Sequence, residues 1–435
     1  MRFRTTDAIF FLMLLHVGEV SRVLLTHQQR LVNTIFETYD KTLRPIEDTD
    51  SVTNVTLNPA LYSILKTDEA AECIVIVQSF RMIWKDIFLS WDPSEYGGMR
   101  QLMLPISRIW YPDITFLNLI EVVIIVPEDN NFASISYDGT VVTNIDEVVT
   151  LHCKYHINMY PFDVQNCTMH IGSWMHAGEQ MDIFYSSPTD LDQYNNNTEW
   201  EFISFTARKE KAYYVTTEST WVDIYYDIVI QRKPTYYLLT FVLPCIIITS
   251  ISIIGIFAPF NDSGGREEKV TMGLTTMLTM AVILTIITDK MPRTSEGMPL
   301  LAMYIMMQIA IAATNSFVAV FILYQQRKWT KGEPVPGWIR IITFLTLRKV
   351  KESAIDIHAP LSEHMKEQLM VMYEMRGMMQ QITEHIYDQE VEERLRKDWQ
   401  RAAHRLDLIA MLFFLTLNFT LTLVFLVIGF SNLKA

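Results

Sequence analysis

Hydrophobic positions along this chain keep three rhythms, and each predicts a different architecture. From Val23 to Tyr39 apolar residues recur at helical spacing, which predicts a short leading helix. β-Branched and aromatic runs follow at Ile74 to Phe80, Val122 to Val126, Val141 to Leu151, Trp200 to Phe205 and Val222 to Ile230. Turn signals such as Asp92-Pro93, Gly97-Gly98 and Asp138-Gly139 separate them, and short, regularly spaced strands of this kind predict a β-sandwich. After Pro234 the rhythm gives way to continuous apolar stretches. Leu238 to Phe257, Val270 to Thr288, Leu300 to Tyr324 and Leu408 to Phe430 are each long enough to cross a bilayer core. Between the third and fourth, Pro334-Val335-Pro336-Gly337-Trp338 leads into a basic amphipathic stretch ending at Lys351, and a long helical pattern runs from Ser362 to Arg405.

The expected fold is therefore a β-sandwich extracellular domain plus a four-helix transmembrane bundle, with a helical intracellular segment, an α+β membrane protein. The segmentation read from the chain is 1–20 as a signal peptide, 21–234 as the sandwich, 235–324 as the first three membrane helices, 325–405 as the intracellular segment and 406–435 as the fourth helix with its tail. Arg327, Lys328 and Lys331 open the long inner segment, as the excess of basic residues in inner loops requires, and both termini then lie outside. Met365, Leu369, Met372, Met375, Met379, Ile382 and Ile386 form an apolar seam along the inner helix. Two readings stay open for it, packing against neighbouring copies or packing within one subunit. Arg394, Arg396, Lys397, Arg401 and Arg405 approach the last span and are expected to lie solvated at the inner membrane face.

Composition narrows the choices. Half of the 435 residues are hydrophobic, which fits a protein partly in a membrane. The formal net charge of -13 excludes nucleic acid as a partner, since phosphates need clustered Lys and Arg, and favours cations instead. Of the four cysteines, Cys153 and Cys167 alone share a compact, turn-containing segment, so one disulfide is expected there. A disulfide implies an oxidising compartment, and the acceptor patterns at Asn54, Asn166 and Asn196 agree with glycosylation on that side. The chain carries no assembled catalytic motif and calls for no cofactor or metal, so no enzyme activity is expected.

The second apolar stretch carries more than hydrophobicity. Thr271, Thr275, Leu278, Val282, Thr285 and Asp289 recur every three or four residues and share one face of a helix, with Glu267 and Glu268 just before it. Carboxylates at the ends and hydroxyls along one stripe suggest a path for ions.

Several spaced motifs then converge. Arg30-Leu31 and Arg44-Pro45, Trp84, the run Trp91 to Gly98, Trp110-Tyr111-Pro112-Asp113, the cysteine loop with Tyr160-Pro161-Phe162-Asp163, Gly172-Ser173-Trp174, Arg232 and Leu243-Pro244-Cys245 fall in one order. In that order they resemble a subunit of the Cys-loop pentameric ligand-gated ion channels, nearest the nicotinic acetylcholine receptor branch. The resemblance covers nearly everything except the inner segment. It implies a homo- or hetero-pentamer at the plasma membrane, with the second membrane helix of each subunit around a central pore. Glu268 would then form an inner acidic ring to which Glu267 adds, Asp289 an outer one, and Leu278 and Val282 apolar collars that close by dewetting. Glu267-Glu268 stand where the family's anion channels carry Pro-Ala, so the expected permeant ions are monovalent cations, with calcium left open.

The resemblance also implies a small extracellular ligand, an amine on the chemistry of the family's aromatic box. Trp174, Tyr213 or Tyr214, and Trp221 match that box, Trp221 replacing the usual tyrosine. Leu117 stands where a tyrosine is expected and Ser79 where the complementary face offers tryptophan, and each lost ring face costs about 0.5 to 2 kcal/mol. Thr216-Thr217 replaces the vicinal cysteine pair of acetylcholine-binding subunits. An accessory subunit that binds no agonist is the alternative. Coupling to the gate would run, as the family implies, through Asp68, Glu69, Phe162, Asp163, Arg232 and the segment beginning at Pro292, with lipid around the spans.

Overall fold

In the computed structural model the described residues are 27–433 apart from 49, 187–189, 216–217, 259–265, 293–296, 329–331 and 345–365; in 266–269, 366–376, 380 and 383–384 the backbone alone is described. The signal-peptide segment, Thr216-Thr217, Lys331, the residues just after Pro292, and the side chains of Glu267, Glu268, Met365, Leu369, Met372 and Met375 thus lie outside the described residues. The chain forms two compact units. Phe162–Lys233 and the chain before Asn158 belong to the first, with Lys290; Asn158–Pro161, Pro234–Asp289 and the chain from residue 297 belong to the second.

Among the described residues of the first unit, helix α1 occupies 27–36 and ends before Tyr39, where the pattern from Val23 to Tyr39 would have carried it. Twelve strands follow among the described residues: β1 (Thr53–Leu57), β2 (Ala60–Asp68), β3 (Cys73–Lys85), β4 (Gln101–Pro105), β5 (Ile114–Phe116), β6 (Leu119–Ile124), β7 (Phe132–Ser136), β8 (Thr140–His152), β9 (Val164–Ser173), β10 (Met181–Tyr185), β11 (Trp200–Tyr214) and β12 (Ser219–Arg232). One sheet runs β10-β1-β3-β8-β7-β4, with β2 beside β3 and β6 beside β8; the other runs β11-β12-β9-β5. Strict alternation explains why these segments are strands. In β12, Ile224, Tyr226, Ile228 and Ile230 are fully buried while Tyr225, Asp227 and Val229 are only half-buried, so one face of the pleat meets the core. Tyr226 carries a polar tip into that core and spends it on the Leu57 carbonyl of the other sheet at 3.3 Å. The predicted sandwich is present, and each of the five sequence-predicted strands lies in or overlaps a longer or shifted one.

Four helices in the second unit are long and apolar enough to cross a membrane: Thr235–Phe257 (α2), Val270–Thr288 within α3 (Arg266–Thr288), Leu300–Gln326 (α4) and His385–Asn432 within the last helix. α2 contains a π-helical turn at Leu238–Val242 immediately before Pro244, whose ring nitrogen has no proton for the ordinary ladder. α3 packs closely on α4, since a Cβ on Gly273 would overlap Ser316. Buried amides add direction to this apolar packing. Gln308 Nε2 donates to Asn418 Oδ1 at 2.8 Å, and Asn418 Nδ2 reaches Ser250 Oγ at 3.0 Å, joining α4, the last helix and α2.

Two expectations for the inner segment change. The patterns at Ser362 to Arg405 and Leu408 to Phe430 are one continuous helix, Lys366–Asn432, because Leu406, Asp407 and Leu408 carry neither proline nor glycine to stop it. The described part of the amphipathic stretch forms α5 (Gly337–Thr343), ahead of α6 (Lys366–Asn432). α5 is fixed to α6 by Val335 and Ile339 packing on Trp399 and Ala402. Arg405 donates to the carbonyls of Thr343 and Phe344 at the end of α5, while Arg394, Lys397 and Arg401 pair with Glu390, Glu393 and Asp398. Arg405 is thus a helix cap rather than a freely solvated charge. Within the seam, Met379, Ile382 and Ile386 are exposed among the described residues.

Candidate functional site

Around the candidate ligand residues, Trp174 is placed by a carboxylate. Strand β5 brings Asp113 against β9, where the Asp113 carbonyl accepts from Trp174 N–H at 3.1 Å. The Asp113 carboxylate collects Ser173 Oγ at 2.9 Å, Met175 N–H at 2.6 Å and His176 Nδ1 at 2.9 Å. Burial alone would raise this carboxyl, but the hydrogen bonds from His176, Met175 and Ser173 together hold it below its ordinary range. The turn is therefore rigid while the Trp174 ring is 67% exposed, as a ring offered to a ligand would be. His176 is committed to Asp113 rather than to a ligand.

The hairpin of β11 and β12 carries the other rings. Tyr214 meets Trp221 edge-on with centroids 6.4 Å apart, and Trp221 Nε1 donates to Ser219 Oγ at 3.0 Å. Tyr213, paired with Thr220, lies on the other face of the hairpin and is 63% exposed there. The Gly178 N–H reaches the Thr220 carbonyl at 2.7 Å and ties the Trp174 turn to β12 next to Trp221. Leu117 lies on the path between β5 and β6 and Ser79 is buried on β3, so neither supplies a ring. One pair went unnoticed in the sequence: His170 stacks on Tyr225 at 4.4 Å and points Nε2 at Asp223 Oδ2, 3.2 Å away. The signal was available in the strand period, since β9 and β12 pair Tyr225 with His170.

Of the residues expected to couple the two layers, Glu69, Asp163 and Arg232 come together. Arg232, 1% exposed at the end of β12, donates Nε to Asp163 Oδ1 at 2.9 Å, Nη1 to Glu199 Oε1 at 2.8 Å and Nη2 to Glu69. Its guanidinium also lies 4.2 Å from the Trp200 ring centroid. Three carboxylates from three segments thus share one fork, which only arginine's planar donor set can serve. No local motif marks Glu199, and Trp200 is legible only as the first residue of a strand. Asp68 does not join the fork. Its carboxyl is held low mainly by the Lys66 ammonium at 2.7 Å and the Ala71 N–H. Phe162 is fully buried and Pro292 half-buried.

The Cys153–Cys167 disulfide forms, with Cα atoms 5.1 Å apart. Between its cysteines, Asn158 and Tyr160 present carbonyls to the N–H groups of Leu300 and Leu301, each at 3.1 Å. The start of α4 has Pro299 and no side-chain cap, so the loop tip satisfies donors that would otherwise be orphaned. Gly297 leaves the room that Asn158 occupies. Tyr160 packs edge-on against Tyr237 at 5.1 Å.

On α3, Thr271, Thr275, Leu278, Val282 and Thr285, with Asp289 just past its end, are exposed together with Leu274, Thr279, Ala281 and Ile286, whereas Gly273, Thr276, Met280 and Ile287 are buried on the opposite side. The hydroxyls of Thr275 and Thr285 donate to the carbonyls of Met272 and Ala281, each at 2.9 Å. Their protons are spent on the helix itself, so what they offer outward is oxygen lone pairs, the right sign for cations.

Comparison with known proteins agrees with this geometry. A family model described as the neurotransmitter-gated ion-channel ligand binding domain matches residues 28–234, and one described as the neurotransmitter-gated ion-channel transmembrane region matches 241–364. Acetylcholine receptor subunit alpha-type deg-3 of Caenorhabditis elegans is 30% identical over 72% of this chain and 57% of its own length. Neuronal acetylcholine receptor subunit alpha-9 of Gallus gallus is 30% identical over 74% of this chain and 66% of its own, and that of Homo sapiens 29% identical over 74% and 67%. The match to the first two relatives thus spans less than two thirds of their length.

Proposed function

We propose, for a chain that belongs to the neurotransmitter-gated ion-channel family, that it acts as a subunit of a cation-selective channel opened by an extracellular ligand. The family is one of ligand-gated ion channels, not enzymes, and its members are multi-pass plasma-membrane proteins with an extracellular N-terminal domain. Five copies, alike or mixed with related subunits, surround a pore lined by Thr271, Thr275, Leu278, Val282, Thr285 and Asp289, with Glu268 and Glu267 at the inner end. The observation that carries this reading is the unpacked stripe on α3, whose threonine oxygens face away from the bundle.

The ligand is a small amine received by Trp174, Tyr213, Tyr214 and Trp221 at a subunit boundary. An ammonium suits exposed ring faces beside Asp113, and the absent rings at Leu117 and Ser79 set its affinity below that of a full box. Binding reaches the gate through Glu69, Asp163 and Arg232, with Asp68, Phe162 and Pro292 beside them. Four crossings put both termini on one side, and with the sandwich at 21–234 outside, the segment at 325–405 lies inside and both termini outside.

Bi-ionic current recording tests the pore. Replacing Glu268 by Gln is expected to move the reversal potential toward that of chloride and to cut cation selectivity roughly tenfold, about 1.4 kcal/mol. An unchanged reversal potential removes Glu268 from the selectivity ring.

A further inference from the structure

A cavity of about 370 Å³ lies in the first unit, away from the rings of Trp174 and Trp221, and is lined on one side by β5. Its volume is in the range of small-molecule sites. Phe80, Tyr111 and Phe116 give it aromatic walls, Phe80 and Phe116 touching with centroids 5.3 Å apart. Two carboxylates line it as well, Glu128 and Glu147. Glu147 is 6% exposed on β8, where register sets it between Gln78 of β3 and Ile124 of β6.

The charges around Glu147 do not balance within the chain. Gln78 Nε2 donates to Glu147 Oε1 at 2.9 Å, yet the buried Gln78 Oε1 has no partner. Lys41 is the basic residue on the lining; one of its ammonium protons goes to the Ser107 carbonyl at 2.8 Å, and it forms no ion pair with either carboxylate. Neither Glu147 nor Glu128 has a basic partner among the described residues. Tyr111 contributes its ring rather than charge, because its hydroxyl meets Met82 Sδ at 3.7 Å and burial, then Glu147 and Glu128, push its ionisation upward. What is missing is a donor-rich cation with an apolar body. A buried carboxylate beside an unpartnered amide oxygen lacks several N–H groups at once, and an ammonium brings three.

We infer that this cavity is a second ligand site, taking a small protonated amine with an apolar or aromatic body whose ammonium is received by Glu147. A zwitterionic amino acid fits badly, since its own carboxylate would meet Glu128 and Glu147. Strand β5 joins the two sites. Ile114, Thr115 and Phe116 wall the cavity, and Asp113, the preceding residue, holds the Trp174 turn, so an occupant bears on the strand that positions the first site.

Burial raises the Glu147 carboxyl to about 7, with Gln78 opposing, so an incoming ammonium must displace a proton at lower pH. The test uses the full-length protein in lipid nanodiscs, 2-phenylethylamine as the probe and 2-phenylethanol as its uncharged match, with binding followed by calorimetry. Trp174→Ala forms the background, so that the first site does not contribute. Saturable binding of the amine is expected there, with affinity falling several-fold from pH 8 to pH 6 and a proton released on binding at pH 6 in buffers of different ionisation enthalpy. Adding Glu147→Gln should weaken the amine at least tenfold and leave the alcohol unchanged. Val122→Trp, which fills the cavity from an exposed strand, should remove both. No saturable binding in the Trp174→Ala background, or equal affinity with and without Glu147→Gln, overturns the inference.

Discussion

Glu147 shows what a single residue can carry. Its folded carboxyl titrates near 7, against about 4.5 when unfolded, so between those values the folded chain holds a proton that the unfolded chain releases. The share of stability that Glu147 sets is then greatest below about 4.5, falls as pH rises toward 7 and levels beyond, a loss of about 3 kcal/mol at most for a shift of this size. Glu147→Gln removes the penalty while preserving shape, and thermal melts of the detergent-solubilised protein should show the variant above its parent at pH 8 and level with it at pH 4. A variant melting no higher at pH 8 would place the acid in water. The sequence showed an acid inside the apolar run from Val141 to Leu151 and no more. Its environment depends on Gln78, 69 positions away, and only the register of β3 with β8 brings them together. Trp174 and Arg232 were legible for a different reason, since fixed local motifs surround them, whereas Glu199 has no such frame.

Among elements, those with a long or strictly alternating apolar pattern could be read, and those defined by their neighbours could not. The four membrane helices and β8 announce themselves. Strands β1, β4 and β10 are five residues each, too short for their period to stand out, and β9 hides its inward positions Cys167, Met169 and Ile171 among polar residues. Arg232 matters at this level because it clamps the turn after β2, the start of β9, the start of β11 and the end of β12. Arg232→Ala leaves Asp163 buried without its cation, and breaking such a pair costs about 3 to 5 kcal/mol. Loss of assembled protein at the cell surface and a markedly lower melting temperature are expected, with Arg232→Lys intermediate because a point charge cannot serve three carboxylates in a fork. An alanine variant that assembles and melts like its parent would show that the clamp is not structural.

Across the whole molecule, the sandwich followed by four spans was visible from the change in rhythm at Pro234. The continuity of the last helix was not, since a basic stretch meeting an apolar one looks like a boundary although nothing in it breaks a helix. Orientation can be checked directly. Asn54, Asn166 and Asn196 are exposed, so protein made in eukaryotic cells should lose three steps of mass on deglycosylation, one fewer after each Asn→Gln change. A chain carrying no glycan would put the sandwich on the wrong side of the membrane.

Helix α6 runs 67 residues without a proline, about 100 Å at 1.5 Å per residue. Such a rod is a lever. A lean of about 5° at one end swings the opposite tip by roughly 9 Å on that length. Whatever tilts the apolar half and whatever grips the charged half therefore pull on the same beam, each able to feel the other.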